Sequence, residues 1–337
     1  MYGTIINIQY RMKFKKGILF MAENLSNQEL LSDLAGELSE VIKGKNNALF
    51  IVLTALLARG HILIEDVPGV GKTTLAMALG KATGLAFRRA QFTPDVMASD
   101  ITGFTMYNKE ENCFEYRPGL ALTNILLADE INRTSPKTQS ALLEAMEERR
   151  VTVDGEVHLL PEPFMVIATQ NSAGYVGTFP LPEAQLDRFM MKINMGYPSV
   201  EEETRIMMDR LTENPVDNVR QVMTADQLFD CIEEAESVTF AESLCRYVAE
   251  LAAATRSHQS VELGVSPRAS VAMMQASRAF AYLNGRDYVI PEDIVRLLIP
   301  VFEHRIILRQ EARLKKISAK QVLEDVVGRV TPPIMKK

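Results

Sequence analysis

The sequence predicts an α/β fold in two parts. A domain with a central parallel five-stranded sheet spans residues 25–197, and a smaller all-helical domain spans 198–337. Three observations predict this. Short apolar runs alternate with helical patterns through the first part, as they do where a parallel sheet is covered on both faces. A Gly-rich turn, Asp66-Val67-Pro68-Gly69-Val70-Gly71-Lys72-Thr73, joins one such run to a helix. After Tyr197-Pro198 the pattern becomes almost entirely helical, with breaks near residues 264–267 and 285–291.

Residues 1–24 read as an N-terminal extension. The first twenty mix apolar residues with Arg11, Lys13, Lys15 and Lys16. They lack the apolar block and small-residue cleavage site of a secretory signal. Met21 opens a more usual acidic amphipathic stretch, so residues 1–20 read as an optional extension or as a start codon placed too early; the plain alternative is an edge strand. Residues 26–59 read as two helices, the first capped by Ser26 with Glu29 completing a capping box. Lys43-Gly44-Lys45 separates them. The apolar run 48–58 lies between Lys45 and Arg59. It is shorter than the roughly 18 residues a membrane helix needs, so it predicts a core helix and no membrane insertion. Strands follow at 61–64, 87–91, 124–128, 164–169 and 188–193, with helices at 72–83 and 136–149. Residues 151–158 read as a hairpin turned by Asp154-Gly155.

Composition excludes some functions. Lys plus Arg total 37 against 43 Asp plus Glu, a net charge of −6, so there is no bulk attraction for nucleic acid or anionic lipid. Cys113, Cys231 and Cys245 have no metal-type spacing. Their odd number predicts buried thiols in a reducing compartment, hence the cytoplasm. The four histidines, His61, His158, His258 and His304, are scattered and form no metal pattern. His304-Arg305 reads as packing or an interface.

The chemistry concentrates at two strand ends. In the loop from Pro68 to Thr73, backbone N–H groups can wrap phosphates and the following helix adds a favourable dipole. Lys72 would reach the β- and γ-phosphates, the Thr73 hydroxyl would ligate Mg²⁺, and Thr74 completes the binding set. Asp66 replaces the first glycine of the usual G-x-x-x-x-G-K-[ST] pattern, and its carboxylate is unfavourable near phosphates unless it points away. Asp129 and Glu130 end the apolar run Ile125-Leu126-Leu127-Ala128. Asp129 suits Mg²⁺ coordination and Glu130 suits polarising an attacking water. Together the two stretches make the chain an ATPase candidate with ATP and Mg²⁺ as its cofactors.

Residues 40–310 resemble the MoxR-family AAA+ ATPases. The resemblance rests on Gly44 with its following helix, the phosphate loop, Gln91-Phe92-Thr93-Pro94-Asp95 and Ser99-Asp100-Ile101-Thr102-Gly103. It continues through Leu127-Ala128-Asp129-Glu130-Ile131-Asn132-Arg133 and the helix from Pro136 to Arg149. Leu181-Pro182-Glu183-Ala184-Gln185-Leu186-Asp187-Arg188-Phe189 and Ser266-Pro267-Arg268-Ala269 complete it. It implies a P-loop AAA+ domain followed by a helical lid, and a homo-hexameric ring with ATP between subunits. By the same resemblance Gly44 joins the nucleotide site, Asn171 matches sensor 1, Arg188 matches the arginine finger and Arg268 matches sensor 2. The plain alternatives are a surface ion pair of Arg188 with Asp187 or Glu183, and an exposed helix-start position for Arg268. By the same resemblance residues 107–119 correspond to the loop inserted in helix 2 and 151–158 to the short hairpin before the sensor 1 strand; in such rings these loops can face the pore or a partner, and the plain alternative is a surface loop. Asn171 lacks the proline that follows it in many relatives, and Lys45 stands where relatives often have glutamine, near the expected adenine pocket.

The reading is therefore a ring ATPase acting as a chaperone-like remodeller or activator. Its client or adaptor would carry a von Willebrand factor A domain, and no nucleic acid is expected. The rival readings are a magnesium-chelatase-like motor subunit, a nucleotide-gated scaffold with little hydrolysis, and a nucleic-acid motor.

Overall fold

A computed structural model describes residues 26–67, 69–170, 179–212 and 214–334. The expected N-terminal extension lies outside them. With strands numbered along the chain, β1 is Ile62–Glu65, β2 Phe87–Gln91, β3 Gly103–Asn108, β4 Cys113–Pro118, β5 Ile125–Asp129, β6 Arg150–Val153, β7 Glu156–Leu159, β8 Met165–Gln170 and β9 Met191–Ile193. The main sheet has the order β2-β5-β8-β1-β9, and every pairing in it is parallel. Strands β5, β8 and β1 lie inside the sheet and are buried on both faces, which is why they read as unbroken apolar runs. Strand β2 is an edge, and its Arg88, Arg89 and Gln91 stay at least partly exposed.

Alternation along these strands divides the core in two. Ile62, Ile64, Ile125, Leu127, Met165 and Ile167 face one core, shared with the helices Asn27–Val41, Asn46–Leu57 and Lys72–Thr83. Leu63, Leu126, Ala128, Val166 and Ala168 face the other, against the helix Pro136–Glu148. The first core continues into the second part of the chain through Leu228, Ile232, Leu251 and Met273. Each such side chain stabilises the fold by about 1.5–3 kcal/mol, so the two parts are held by more than a linker.

Local chemistry explains the helix ends. Ser26 and Glu29 form the expected capping box. The helix Lys72–Thr83 runs from Gly71 to Gly84, both left-handed. The helix Pro136–Glu148 starts with Ser135 as its cap and Pro136 in its first turn, and it stops at left-handed Arg149.

Three expectations are corrected. The second part holds seven helices of five residues or more among the described residues, beginning with Val200–Thr212, but also a two-stranded antiparallel sheet of β10 (Val261–Leu263) and β11 (Ile307–Leu308). Runs of two or three residues carry no readable period. Residues 107–119 belong to a full hairpin, β3 with β4. Of the cysteines only Cys231 is buried; Cys113 lies on that hairpin and Cys245 on the solvent face of the helix Glu242–Ser257. The second hairpin, β6 with β7, forms as expected, with Asp154 (φ 50°) and Gly155 (φ 85°) at its turn. The Tyr116 ring stacks on His158, joining the two hairpins at 3.7 Å between ring centroids. Among the described residues no helix is long and apolar enough to cross a membrane.

Candidate active site

Strands β1 and β5 present the phosphate loop and the acid pair at the same end of the sheet, with β8 between them. A cavity of about 640 Å³ opens there, lined on one side by Gly69, Val70, Gly71, Lys72, Thr73 and Thr74 and on the other by Arg89, Gln91, Asp129 and Glu130. Gly69 and Gly71 have φ of 88° and 97°. A Cβ at either would meet nothing within 4 Å, so left-handed backbone rather than crowding demands glycine. The result is an open backbone cradle of the kind phosphates occupy. Among the described residues the Lys72 ammonium donates to the Asp66 and Val67 carbonyls, at 3.3 and 3.4 Å. Pro68 lies outside the described residues.

Asp66 turns away from the cradle. Its Oδ1 accepts from the Val67 N–H at 2.9 Å, and its Oδ2 accepts from the N–H groups of Met195 and Gly196 at 2.6 Å each. The carboxylate is therefore buried and fully engaged with the chain leaving β9. This removes the conflict that its position in the loop suggested.

The acid pair is held from both neighbouring strands. Thr169 on β8 donates to Asp129 Oδ1 at 2.7 Å and accepts from the Glu130 N–H at 2.9 Å. Arg89 on β2 donates to Asp129 Oδ2 at 2.8 Å. Glu130 is left-handed (φ 57°), and its carboxylate accepts from Gln91 at 2.9 Å and from Arg133 at 2.8 Å. Thr73 and Asp129 supply a hydroxyl and a carboxylate to the same cavity, a hard oxygen set that fits Mg²⁺.

The far wall of the cavity comes from outside the sheet. Val41, Ile42, Pro198, Ile206 and Pro215 give it an apolar side suited to a base. Lys45 also lines it and donates to the Tyr197 carbonyl at 2.7 Å. Gly44 does not line the cavity. It has φ of 71°, and the Glu202 carboxylate would lie 1.6 Å from a Cβ there. Its part is to let the turn carrying Lys43 and Lys45 pass against the helix Val200–Thr212.

Two expected residues lie elsewhere, and a third is outside the described residues: Asn171. Arg188 follows the short helix Glu183–Leu186, and Arg268 lies in the first turn of the helix Pro267–Leu283. Neither lines the phosphate-loop cavity; both line a second cavity, of about 260 Å³. They converge on one carboxylate: Glu147 Oε2 pairs with Arg188 at 3.2 Å and Glu147 Oε1 with Arg268 at 3.1 Å. Arg188 thus pairs with Glu147 rather than with Asp187 or Glu183, and Arg268, exposed at its helix start as the plain alternative had it, also pairs with Glu147.

Comparison with known proteins identifies the family. Residues 61–191 match the ATPase family associated with various cellular activities (AAA), and residues 253–326 match an AAA lid domain. Chaperone MoxR1 of Mycobacterium tuberculosis is 40% identical over 88% of this chain and 81% of its own length. The chain belongs to the MoxR family of AAA+ ATPases. The relatives of this MoxR-family chain include YeaC of Bacillus subtilis, described as uncharacterized, at 47% identity over 93% of this chain and 99% of that one. The crystal structure of a candidate ATPase from Cytophaga hutchinsonii superposes with a TM-score of 0.86 at 35% identity, covering 97% of this chain and all of that one.

Sequence reasoning missed Arg89, Thr169 and Glu147, and gave Gln91 no role. Arg89 and Gln91 had a signal: polar residues at alternate positions of β2, paired in register with Leu127 and Asp129. Glu147 had none, because one more acid in Glu147-Glu148-Arg149-Arg150 reads as a solvated helix end.

Proposed function

We propose that this MoxR-family chain hydrolyses ATP with Mg²⁺ in a homo-oligomeric ring, six-membered by family resemblance, and uses the cycle to remodel or activate a partner protein. The observation that carries this is the separation of Arg188 and Arg268 from the chain's own phosphate-loop cavity. One copy holds ATP; the two guanidinium groups serve the site of a neighbour. In its own cavity Lys72 and the loop amides bind phosphate, and Thr73 and Asp129 hold Mg²⁺, whose charge offsets that of the phosphate oxygens. Glu130, steadied by Gln91 and Arg133, polarises the attacking water. Asn171 orients that water. Arg188 and Arg268 from the neighbour meet the charge that builds on the γ-phosphate. The partner is a protein with a von Willebrand factor A domain, and the work is done in the cytoplasm; both rest on the family resemblance.

ATP turnover per subunit measured across protein concentration tests the ring, with Glu130→Gln as the blank. Turnover should rise steeply with concentration. A flat rate equal to the blank would favour the nucleotide-gated scaffold instead.

A further inference from the structure

The turn that carries Arg188 is bound both to its own domain, where the Arg188 guanidinium donates to the Leu143 carbonyl at 2.8 Å, and to the helical part of the chain. Arg305, whose side chain is 3% exposed, donates to Asp187 Oδ1 at 2.6 Å. The same guanidinium donates to the backbone carbonyls of Asp187 at 3.1 Å, Phe189 at 2.7 Å and Met190 at 3.1 Å, and to that of Val301. His304 Nε2 lies 3.1 Å from the Phe189 carbonyl. The other oxygen of Asp187 accepts from Ser266 Oγ at 3.0 Å. Ser266 is the cap of the helix on which Arg268 stands two residues later. Asp187 is thus bonded on one side to the anchor of its own turn and on the other to the start of the Arg268 helix. Burial pulls the Arg305 guanidinium below its usual pKa, and Asp187 offsets that effect.

The two arginines meet on Glu147. Each takes a different oxygen of Glu147, so the pair already grips one oxyanion with two oxygens. A phosphoryl group offers oxygens at comparable spacing. We propose that Asp187 is a positioning residue which, through Ser266 and Arg305, fixes Arg188 and Arg268 relative to each other so that they act on one phosphoryl group as a unit. The inference rests on the ring reading above. It also ties the position of the helical part, which lines the nucleotide cavity with Ile206, Asp209 and Arg210, to the aim of Arg188 at the neighbouring site.

The test is steady-state ATP turnover by the assembled full chain carrying D187N, R268A or both, with assembly followed by sedimentation. D187N keeps the side-chain size and removes the charge. It should lower kcat about tenfold, the scale of a modest misplacement, with KM near that of the wild type. The double variant should lose little more than the larger single loss, because the residues act as one unit. S266A should reproduce part of the D187N loss, and S266T should restore it by keeping the hydroxyl. If D187N does not fold, the S266A and S266T pair decides alone. Wild-type kcat in assembled D187N, or multiplicative losses in the double variant, would overturn the proposal while leaving the ring intact. Full turnover by R188A would overturn the ring reading and this inference with it.

Discussion

The two charged regions of this chain are built in opposite ways. In the phosphate-loop cavity three charged groups are held from within the α/β domain: Lys72 by loop carbonyls, Asp129 by Thr169 and Arg89, Glu130 by Gln91 and Arg133. The arginine region is held across the chain, with Arg305 and Ser266 anchoring the turn that bears Arg188. The first region gathers its phosphate loop and acid pair at one end of the sheet, and the helical part adds wall residues such as Ile206 and Pro215. The second draws anchors from the helical part and, on the ring reading proposed above, serves a neighbour's site. On the ring reading proposed above, binding belongs to one copy and the chemical step to two.

The sharpest way to break this comparison is to separate the halves by mutation. Arg188→Ala should lower kcat by about 10³-fold or more, as removal of an arginine finger does, while nucleotide binding to the same chain stays intact. Glu130→Gln should lower kcat by about 10²–10³-fold, also with binding retained. Mixing the two inactive variants should recover turnover, because Glu130 in one subunit would then face Arg188 of the other. Recovery is read by titrating one variant into the other at constant total protein. No recovery at any ratio would mean that both residues serve the same subunit's nucleotide, and the comparison would collapse.

A smaller effect probes the loop itself. Asp66→Gly restores the more usual loop sequence, and from sequence alone it looks like an improvement. The structure predicts the reverse. It strands the N–H groups of Val67, Met195 and Gly196, and the cost should be about 3 kcal/mol, measured by urea unfolding. An unchanged or raised stability would show that the buried carboxylate is dispensable.

What the sequence made legible follows the same division. Features set by neighbouring residues were readable: the helix Lys72–Thr83 after its glycines, the Ser26–Glu29 capping box and the Asp154-Gly155 hairpin turn. The acid pair was readable because two adjacent carboxylates after buried apolar residues require a cation or donors. Strand order was not, since a parallel sheet of five strands admits several orders. With it went Thr169, which reaches Asp129 only because β8 lies beside β5. The Asp187–Arg305 contact spans 118 residues of chain, and no local period records it.

The smallest expected effect concerns His61, a wall residue of the second cavity rather than one of its paired charges. His61 is buried just before β1, where Nδ1 accepts from the Val166 N–H at 2.9 Å, so Nε2 carries the proton and donates to the Met146 carbonyl at 3.1 Å. Burial lowers its pKa from 6.5 to about 4. The unfolded chain therefore binds a proton in a range where the folded chain does not. Stability from the neutral ring is fully present above pH 6.5 and is lost as pH falls toward 4. Between pH 6.5 and 5 the loss from this one group should be about 2 kcal/mol. Urea unfolding at those two pH values measures it, and His61→Asn should flatten the difference by that amount. Its nucleotide binding should change little, because among the described residues His61 does not line the phosphate-loop cavity. An equal pH dependence in the variant would assign the acid sensitivity to another group, with buried His304, whose pKa is also lowered by burial and by Arg305, the next to replace.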